Sequence, residues 1–273
     1  MTEPVESWIG KTVVREDAVT PRLNAEFRAT LAPFLFIPEN LDHASPGLHW
    51  CLALPAHDTD KLGPDGAEAK GLFLPPTELP RRMWAGGSIE SFRPLAINDK
   101  VVRTSTVSDV TLRQGRSGGL CLVSVTHEIT AGGQLAVRER HDIVFREASK
   151  VSTGTAGVEE PPRGDIVWQV RGSPLLLFRF SAITFNGHRI HYDLSYARET
   201  EGYGGLLVHG PLQAALLLNQ LSVLNGAVPP VFSYRCTAPL VAGPAFHVAS
   251  RRDNTGVIAD ANGVITMEAK GHG

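Results

Sequence analysis

The stretch Gly210–Gly226 (GPLQAALLLNQLSVLNG) constrains this chain more than any other. It opens on Gly-Pro, where the missing N–H costs nothing because the first helical turn has no partner for it, and it closes on Asn-Gly, a favourable left-handed stop. Between these signals the helix is apolar on nearly every face. A helix lying on a surface shows a one-sided apolar stripe, so this one has to be surrounded. A curved antiparallel sheet wrapped around a central helix meets that demand, and the rest of the chain is rich in strand-like runs.

Lys100–Leu112 and Leu120–Ile129 are Val/Thr/Ile-rich and flank the turn residues Gly115–Gly119. Leu135–Phe145 follows the turn Ala131-Gly132-Gly133-Gln134, which predicts a meander. Three shorter runs, Phe246–Arg251, Gly256–Asp260 and Val264–Lys270, end the chain in the same way. The turns Ala131-Gly132-Gly133 and Ala261-Asn262-Gly263 lie 130 positions apart, and Ser91-Phe92-Arg93 resembles Ser233-Tyr234-Arg235 at a spacing of 142. Together these favour an internal duplication. Residues 147–164, rich in Ser, Thr, Gly, Pro and charge, read as a linker between a unit at 1–146 and a unit at 165–273. A helical counterpart in the first unit is expected between Thr77 and Gly87, and Leu175–Ile183 (LLLFRFSAI) reads as a strand.

With 42% hydrophobic and 20% charged residues and a net charge of −2, the composition is that of a globular protein and not of a disordered or fibrous one. There is no basic footprint for a nucleic-acid partner and no apolar run near the roughly 18 residues of a membrane span. The N-terminus MTEPVESWIGK lacks a basic region followed by an apolar core, so the chain reads as soluble, untargeted and cytoplasmic. Cys51, Cys121 and Cys236 are odd in number and far apart, which fits a reducing compartment better than a disulfide framework.

The densest cluster of polar functional groups is Thr184-Phe185-Asn186-Gly187-His188-Arg189-Ile190-His191-Tyr192-Asp193. Asn186 and His191 stand five apart across a glycine, a spacing that lets a bent loop bring an amide and an imidazole to one point. The imidazole can take and return a proton near neutral pH, and the amide can hold a water or hydroxyl through its paired donor and acceptor. His188, His191 and His209 could ligate a metal, but no further Cys or acidic residue has a familiar ligand spacing, so no metal is expected. Asp193 reads as the cap of a short helix, Leu194–Glu199.

This cluster resembles the signature of the MaoC-type hydratases of enoyl thioesters, in which Gly-Asp-x-Asn-Pro-Leu-His supplies an acid and a histidine in the overhang of a hot-dog fold. Here Phe185-Asn186-Gly187-His188-Arg189-Ile190-His191 keeps the His and has Asn186 in place of the Asp. Val208-His209-Gly210-Pro211-Leu212 is similar to the family's His-Gly start of the central helix. Arg81–Phe92 and Thr184–Asp193 resemble the fused double-hot-dog branch, which contains 3-methylfumaryl-CoA (mesaconyl-CoA) and itaconyl-CoA hydratases and related hydroxyacyl-thioester dehydratases.

The resemblance implies an α+β double hot dog, two antiparallel sheets each wrapping a central helix, with catalysis in the second unit only. It implies a hydro-lyase acting on an acyl-CoA without a cofactor, as a pseudo-dimeric monomer or a homodimer. His191 would handle the proton and Asn186 would position the water. Enolate charge on the thioester oxygen needs donors, and a helix N-terminus offers unsatisfied N–H groups, so Gly210 is expected in the oxyanion hole with Gly204-Gly205 as the alternative. His188, Gly205 and His209 are expected against the substrate, and Arg189, Arg81 and Arg82 are candidates for an acyl carboxylate. The expected substrate is a short C5 dicarboxyl thioester giving citramalyl-CoA, and three other readings stay open: a 3-hydroxyacyl-thioester dehydratase of fatty acid synthesis, a non-catalytic acyl-CoA-binding module, motivated by Asn186, and a hydrolytic hot-dog enzyme.

Overall fold

A computed structural model describes residues 3–115, 118–148 and 160–273. The first half supplies β1 (Thr12–Ala18), α1 (Pro21–Leu31), β2 (Arg81–Ser91), β3 (Lys100–Gly115), β4 (Gly118–Ala131) and β5 (Gln134–Arg146). The second half supplies β6 (Ile166–Arg171), α2 (Pro174–Ile183), α3 (Gly210–Asn225), β7 (Val231–Cys236), β8 (Ala245–Ser250), β9 (Thr255–Ala259) and β10 (Ile265–His272). Residues 149–159, most of the segment read as a linker, lie outside the described residues, as do Arg116 and Ser117 in the β3–β4 turn.

The ten strands form one antiparallel sheet in the order β1-β3-β4-β5-β2-β7-β10-β9-β8-β6. Read from either end the order is the same once β1 to β5 are matched with β6 to β10, so the architecture is a double hot dog. The two sheets expected meet edge to edge, through β2 and β7 paired from Gly86↔Arg235 to Glu90↔Val231. Among the described residues no helix is long and apolar enough to cross a membrane.

The central helix is where the apolar pattern puts it. From Leu212 to Ser222 every residue of α3 is buried. Its polar side chains are therefore all bonded, because an unpaired polar group in such a place costs about 1–3 kcal/mol. Asn219 Nδ2 donates to Pro46 O and Ala215 O, and its Oδ1 accepts from Phe36 N. Gln220 Nε2 donates to Val248 O, and its Oε1 accepts from Ser250 Oγ.

The first half differs from the expected helix at Thr77–Gly87. Arg81–Ser91 is a strand, and its two central glycines mark a close strand approach instead of a helix stop. A Cβ at Gly87 would lie 2.0 Å from Arg140 O, beside the bulge between Trp84 and Gly86. The place of the helix is taken by one buried 3₁₀ turn, Leu48–Cys51, entered through Gly47 at φ 90°. Matching hydrogen bonds fix the correspondence. Ala44 N donates to Leu95 O at 2.8 Å and Ile97 N to Asp42 O at 2.7 Å, as Val208 N does to Leu240 O at 2.9 Å and Ala242 N to Leu206 O at 2.7 Å.

Candidate active site

The polar loop is launched by a helix. Leu175–Ile183 belongs to α2, whose N-cap Ser173 accepts from Leu176 N at 3.2 Å ahead of Pro174. The helix ends in a left-handed turn at Phe185 (φ 46°), with Asn186 N donating to Ser181 O and Phe185 N to Ala182 O. Asn186 Oδ1 then accepts from His188 N at 2.9 Å, which leaves its Nδ2 without a partner among the described residues. A first-half loop braces the turn: Arg189 N donates to Asp65 O at 2.8 Å, and a Cβ at Gly66 would lie 2.1 Å from Gly187 O.

His191 closes the one-turn helix Arg189–His191 and is buried. Its Nδ1 lies 2.8 Å from Leu207 O. A carbonyl only accepts, so Nδ1 carries the hydrogen and Nε2 keeps its lone pair in the neutral ring. The ring stacks on that of His209 at 3.6 Å between centroids, and His188 meets it edge-on at 5.6 Å. His209 is fully buried, with Nε2 2.8 Å from Ser181 Oγ. Burial, aided by the neighbouring His188, holds His191 down at about 3, and burial with Arg82 nearby holds His188 at about 4. Both rings are neutral at physiological pH. Among the described residues no group of three or more His, Cys, Asp or Glu is placed to hold a metal.

Gly210 is the first residue of α3, and the N-cap His209 makes no side-chain capping bond. The Gly210 N–H has no acceptor among the described residues, as expected of a first helical residue. A Cβ here would lie 2.3 Å from a ring carbon of Trp84. That indole is clamped: it stacks on Tyr234 at 4.7 Å and meets His141 and Trp50 edge-on. All three clamps bond to one buried oxygen, Glu139 Oε1, from Trp50 Nε1 at 2.6 Å, His141 Nε2 at 2.6 Å and Tyr234 OH at 3.0 Å. Burial alone would raise the Glu139 carboxyl, but His141 and His49 outweigh it and hold it well below the usual range.

Asn186, His188, His191 and Gly210 line one cavity of about 710 Å³, with Arg82, Trp84, Arg146 and Tyr203 completing its wall. Other expected residues lie elsewhere. Arg81 is buried in an ion pair with Glu201 (3.3 Å) and does not line the cavity. Arg189 lies over the Tyr196 ring, held by Asp193 at 2.8 Å and by Pro64 O, and does not line the cavity. His209 supports His191 from beneath, and Gly205 packs on Val241 outside the lining. Asp193 caps the following turn through Tyr196 N at 3.0 Å. Trp84, Glu139 and Arg146 were not singled out by sequence reasoning; Trp84 alone lay in a segment already marked by the resemblance. A second cavity of about 490 Å³ occupies the equivalent place in the first half, beside Ser45, Gly47 and Leu95; its loop carries Asn40 and His43, three apart and in contact with each other at 3.3 Å, where the second half has Asn186 and His191 five apart.

Comparisons with known proteins place the chain in a family. A family model described as hydroxyacyl-thioester dehydratase type 2 matches residues 47–242. The chain is 39% identical over 259 residues to the mesaconyl-C(4)-CoA hydratase of Chloroflexus aurantiacus, covering 94% of this chain and 92% of that protein. Among solved structures, HtdX of Mycobacterium tuberculosis is similar at a TM-score of 0.70 and 17% identity, covering 95% of this chain and 98% of that one. A MaoC-like dehydratase from Phytophthora capsici is similar at 0.69 and 15%, covering 98% of each. Those two likenesses speak for the fold, and the family match and the 39% relative speak for descent. A double hot dog with a buried histidine and a free helix-terminal N–H on one cavity therefore belongs to the hydroxyacyl-thioester dehydratase type 2 family of MaoC-like hydratases and dehydratases.

Proposed function

We propose that this protein hydrates a short enoyl-CoA thioester, 3-methylfumaryl-CoA (mesaconyl-CoA) or itaconyl-CoA, to citramalyl-CoA, with residues 165–273 carrying the chemistry and residues 1–146 forming the opposite wall. The observation that carries this reading is the shared cavity, on which the His191 imidazole and the Gly210 N–H both border. In the forward direction on the conjugated thioester, Nε2 takes a proton from water as the water oxygen bonds to the β-carbon. The double-bond pair moves to the thioester oxygen, where the Gly210 N–H and the positive end of α3 stabilise it. The enolate collapses as the α-carbon takes a proton back from the imidazolium, so no net charge or proton is left over. Asn186 Nδ2 is free to orient the water, a role an amide fills without changing charge.

The relative's name supports the acyl group, and the family model supports the reverse reaction as the second reading, dehydration of a 3-hydroxyacyl thioester in fatty acid synthesis. The same groups serve both directions. Pairing of β2 with β7 already gives each half its partner, which fits a pseudo-dimeric monomer or a dimer of it; cytoplasmic location is part of the same proposal. Full-length protein mixed with crotonyl-CoA, 3-methylfumaryl-CoA and itaconyl-CoA, followed by loss of enoyl absorbance, tests the reading. Tight CoA binding without turnover would instead support a non-catalytic module, and release of free thiol a hydrolase.

A further inference from the structure

Two charged side chains line the active cavity among the described residues, and both are arginines. Their situations differ. Arg82 is matched, with Nε 2.9 Å from Asp65 Oδ2 and a further bond to Glu68 O. Arg146, the last residue of β5, has no carboxylate within ion-pair distance among the described residues, and its Nε is buried without a partner. Its side chain bonds the neutral Tyr203 hydroxyl and interacts with Glu201 only through charge, and Glu201 already pairs with Arg81. A guanidinium at a cavity wall with a buried, unpartnered Nε and no carboxylate to balance its charge is costly to keep, and an anion that accepts from it offsets the cost.

We infer that Arg146 receives an ionised carboxylate of the acyl group, which makes the protein selective for dicarboxylic over monocarboxylic enoyl thioesters. The inference rests on the hydratase reading above and deepens it. A carboxylate on the carbon that water attacks repels the nucleophile, and pairing it with a cation offsets that repulsion. A neutral acyl group leaves the Arg146 charge without a carboxylate in the cavity, which penalises the wrong substrate as well as favouring the right one. Arg146 belongs to the first half while His191 and Gly210 belong to the second, so recognition of the acyl charge and catalysis come from opposite halves.

The test is the ratio of kcat/KM for 3-methylfumaryl-CoA to that for crotonyl-CoA. In Arg146→Met the ratio should fall by about 100-fold or more, as for truncation of one partner of a buried charge pair, and Arg146→Lys should recover part of it. The same fall should appear with N-acetylcysteamine thioesters, which carry no phosphate. A fall confined to CoA thioesters and equal for both acyl groups would mean that Arg146 holds a CoA phosphate and would overturn the proposal. So would an unchanged ratio in a variant whose thermal unfolding matches wild type. Wild-type protein that turns over none of these thioesters would overturn the hydratase reading itself, an outcome distinct from a changed or unchanged ratio.

Discussion

Gly210→Ala is the smallest change that reaches the centre of the site. The new methyl would stand 2.3 Å from a Trp84 ring carbon, with two more ring carbons at 3.1 and 3.2 Å. An ordinary contact begins near 3.4 Å, so indole and helix must part by about 1 Å, a displacement that can cost on the order of 100-fold in rate at a reacting centre. The indole cannot supply the movement, because Tyr234, His141 and Trp50 hold it and all three are tied to Glu139. The start of α3 must move instead, and the Gly210 N–H moves with it. Overpacking of this kind costs about 1–3 kcal/mol of stability. The expected result is a kcat lowered by about 100-fold, equivalent to about 2.7 kcal/mol, in a protein that still unfolds cooperatively. Steady-state hydration and urea unfolding measure the two effects. Trp84→Leu should relieve the clash, so that the stability cost of Gly210→Ala shrinks in the double variant. A wild-type kcat in Gly210→Ala, or a stability cost indifferent to residue 84, would show that the Trp84 clamp does not position the Gly210 N–H.

Two further outcomes follow from buried polar groups. His191 and His188 titrate at about 3 and about 4 in the folded protein, below the ordinary 6.5, so the unfolded chain takes up protons first on acidification. Stability is complete above about pH 6.5 and falls as pH drops toward 4 and then 3, by about 1.4 kcal/mol per pH unit for each ring; His188→Asn should flatten this slope in unfolding measured at pH 7, 6 and 5, and stability that rises on acidification would contradict it. Glu139→Ala leaves the Trp50, His141 and Tyr234 donors facing one another without an acceptor and should cost about 3–5 kcal/mol in chemical unfolding, whereas a near-neutral effect would show that water replaces the carboxylate.

Elements bounded by strong turn chemistry were legible in the sequence. The helix at Gly210–Gly226 carries both end signals, and Leu135–Phe145 differs from β5 by one residue at each end because Gly132-Gly133 sets its start. α2 was read as a strand because it is short and apolar all round, and because Phe185 fills the left-handed stop usually taken by glycine. Ser173-Pro174 was the usable signal, of the kind that also opens α1 at Thr20-Pro21. β2 was mistaken for helix because Gly86-Gly87 resembles a helix end, whereas both glycines answer to backbone across the β2–β7 seam and on β5. The polar loop Thr184–Asp193 was legible because its functional groups are contiguous. Trp84, Glu139 and Arg146 were not, since only closure of the sheet brings first-half strands against a second-half helix, and no local spacing encodes that contact.

On the proposed mechanism the neutral His191 imidazole, with its lone pair on Nε2, activates the water that adds to an enoyl thioester. The direct measurement is hydration of 3-methylfumaryl-CoA by full-length protein in water enriched in oxygen-18, following loss of enoyl absorbance and the mass of the product. The expected product is a hydroxyacyl thioester carrying one heavy oxygen, formed at a rate at least about 100-fold lower in His191→Ala, the lower range for loss of a general base. No hydration of any enoyl thioester, or an unchanged rate in His191→Ala, would contradict it.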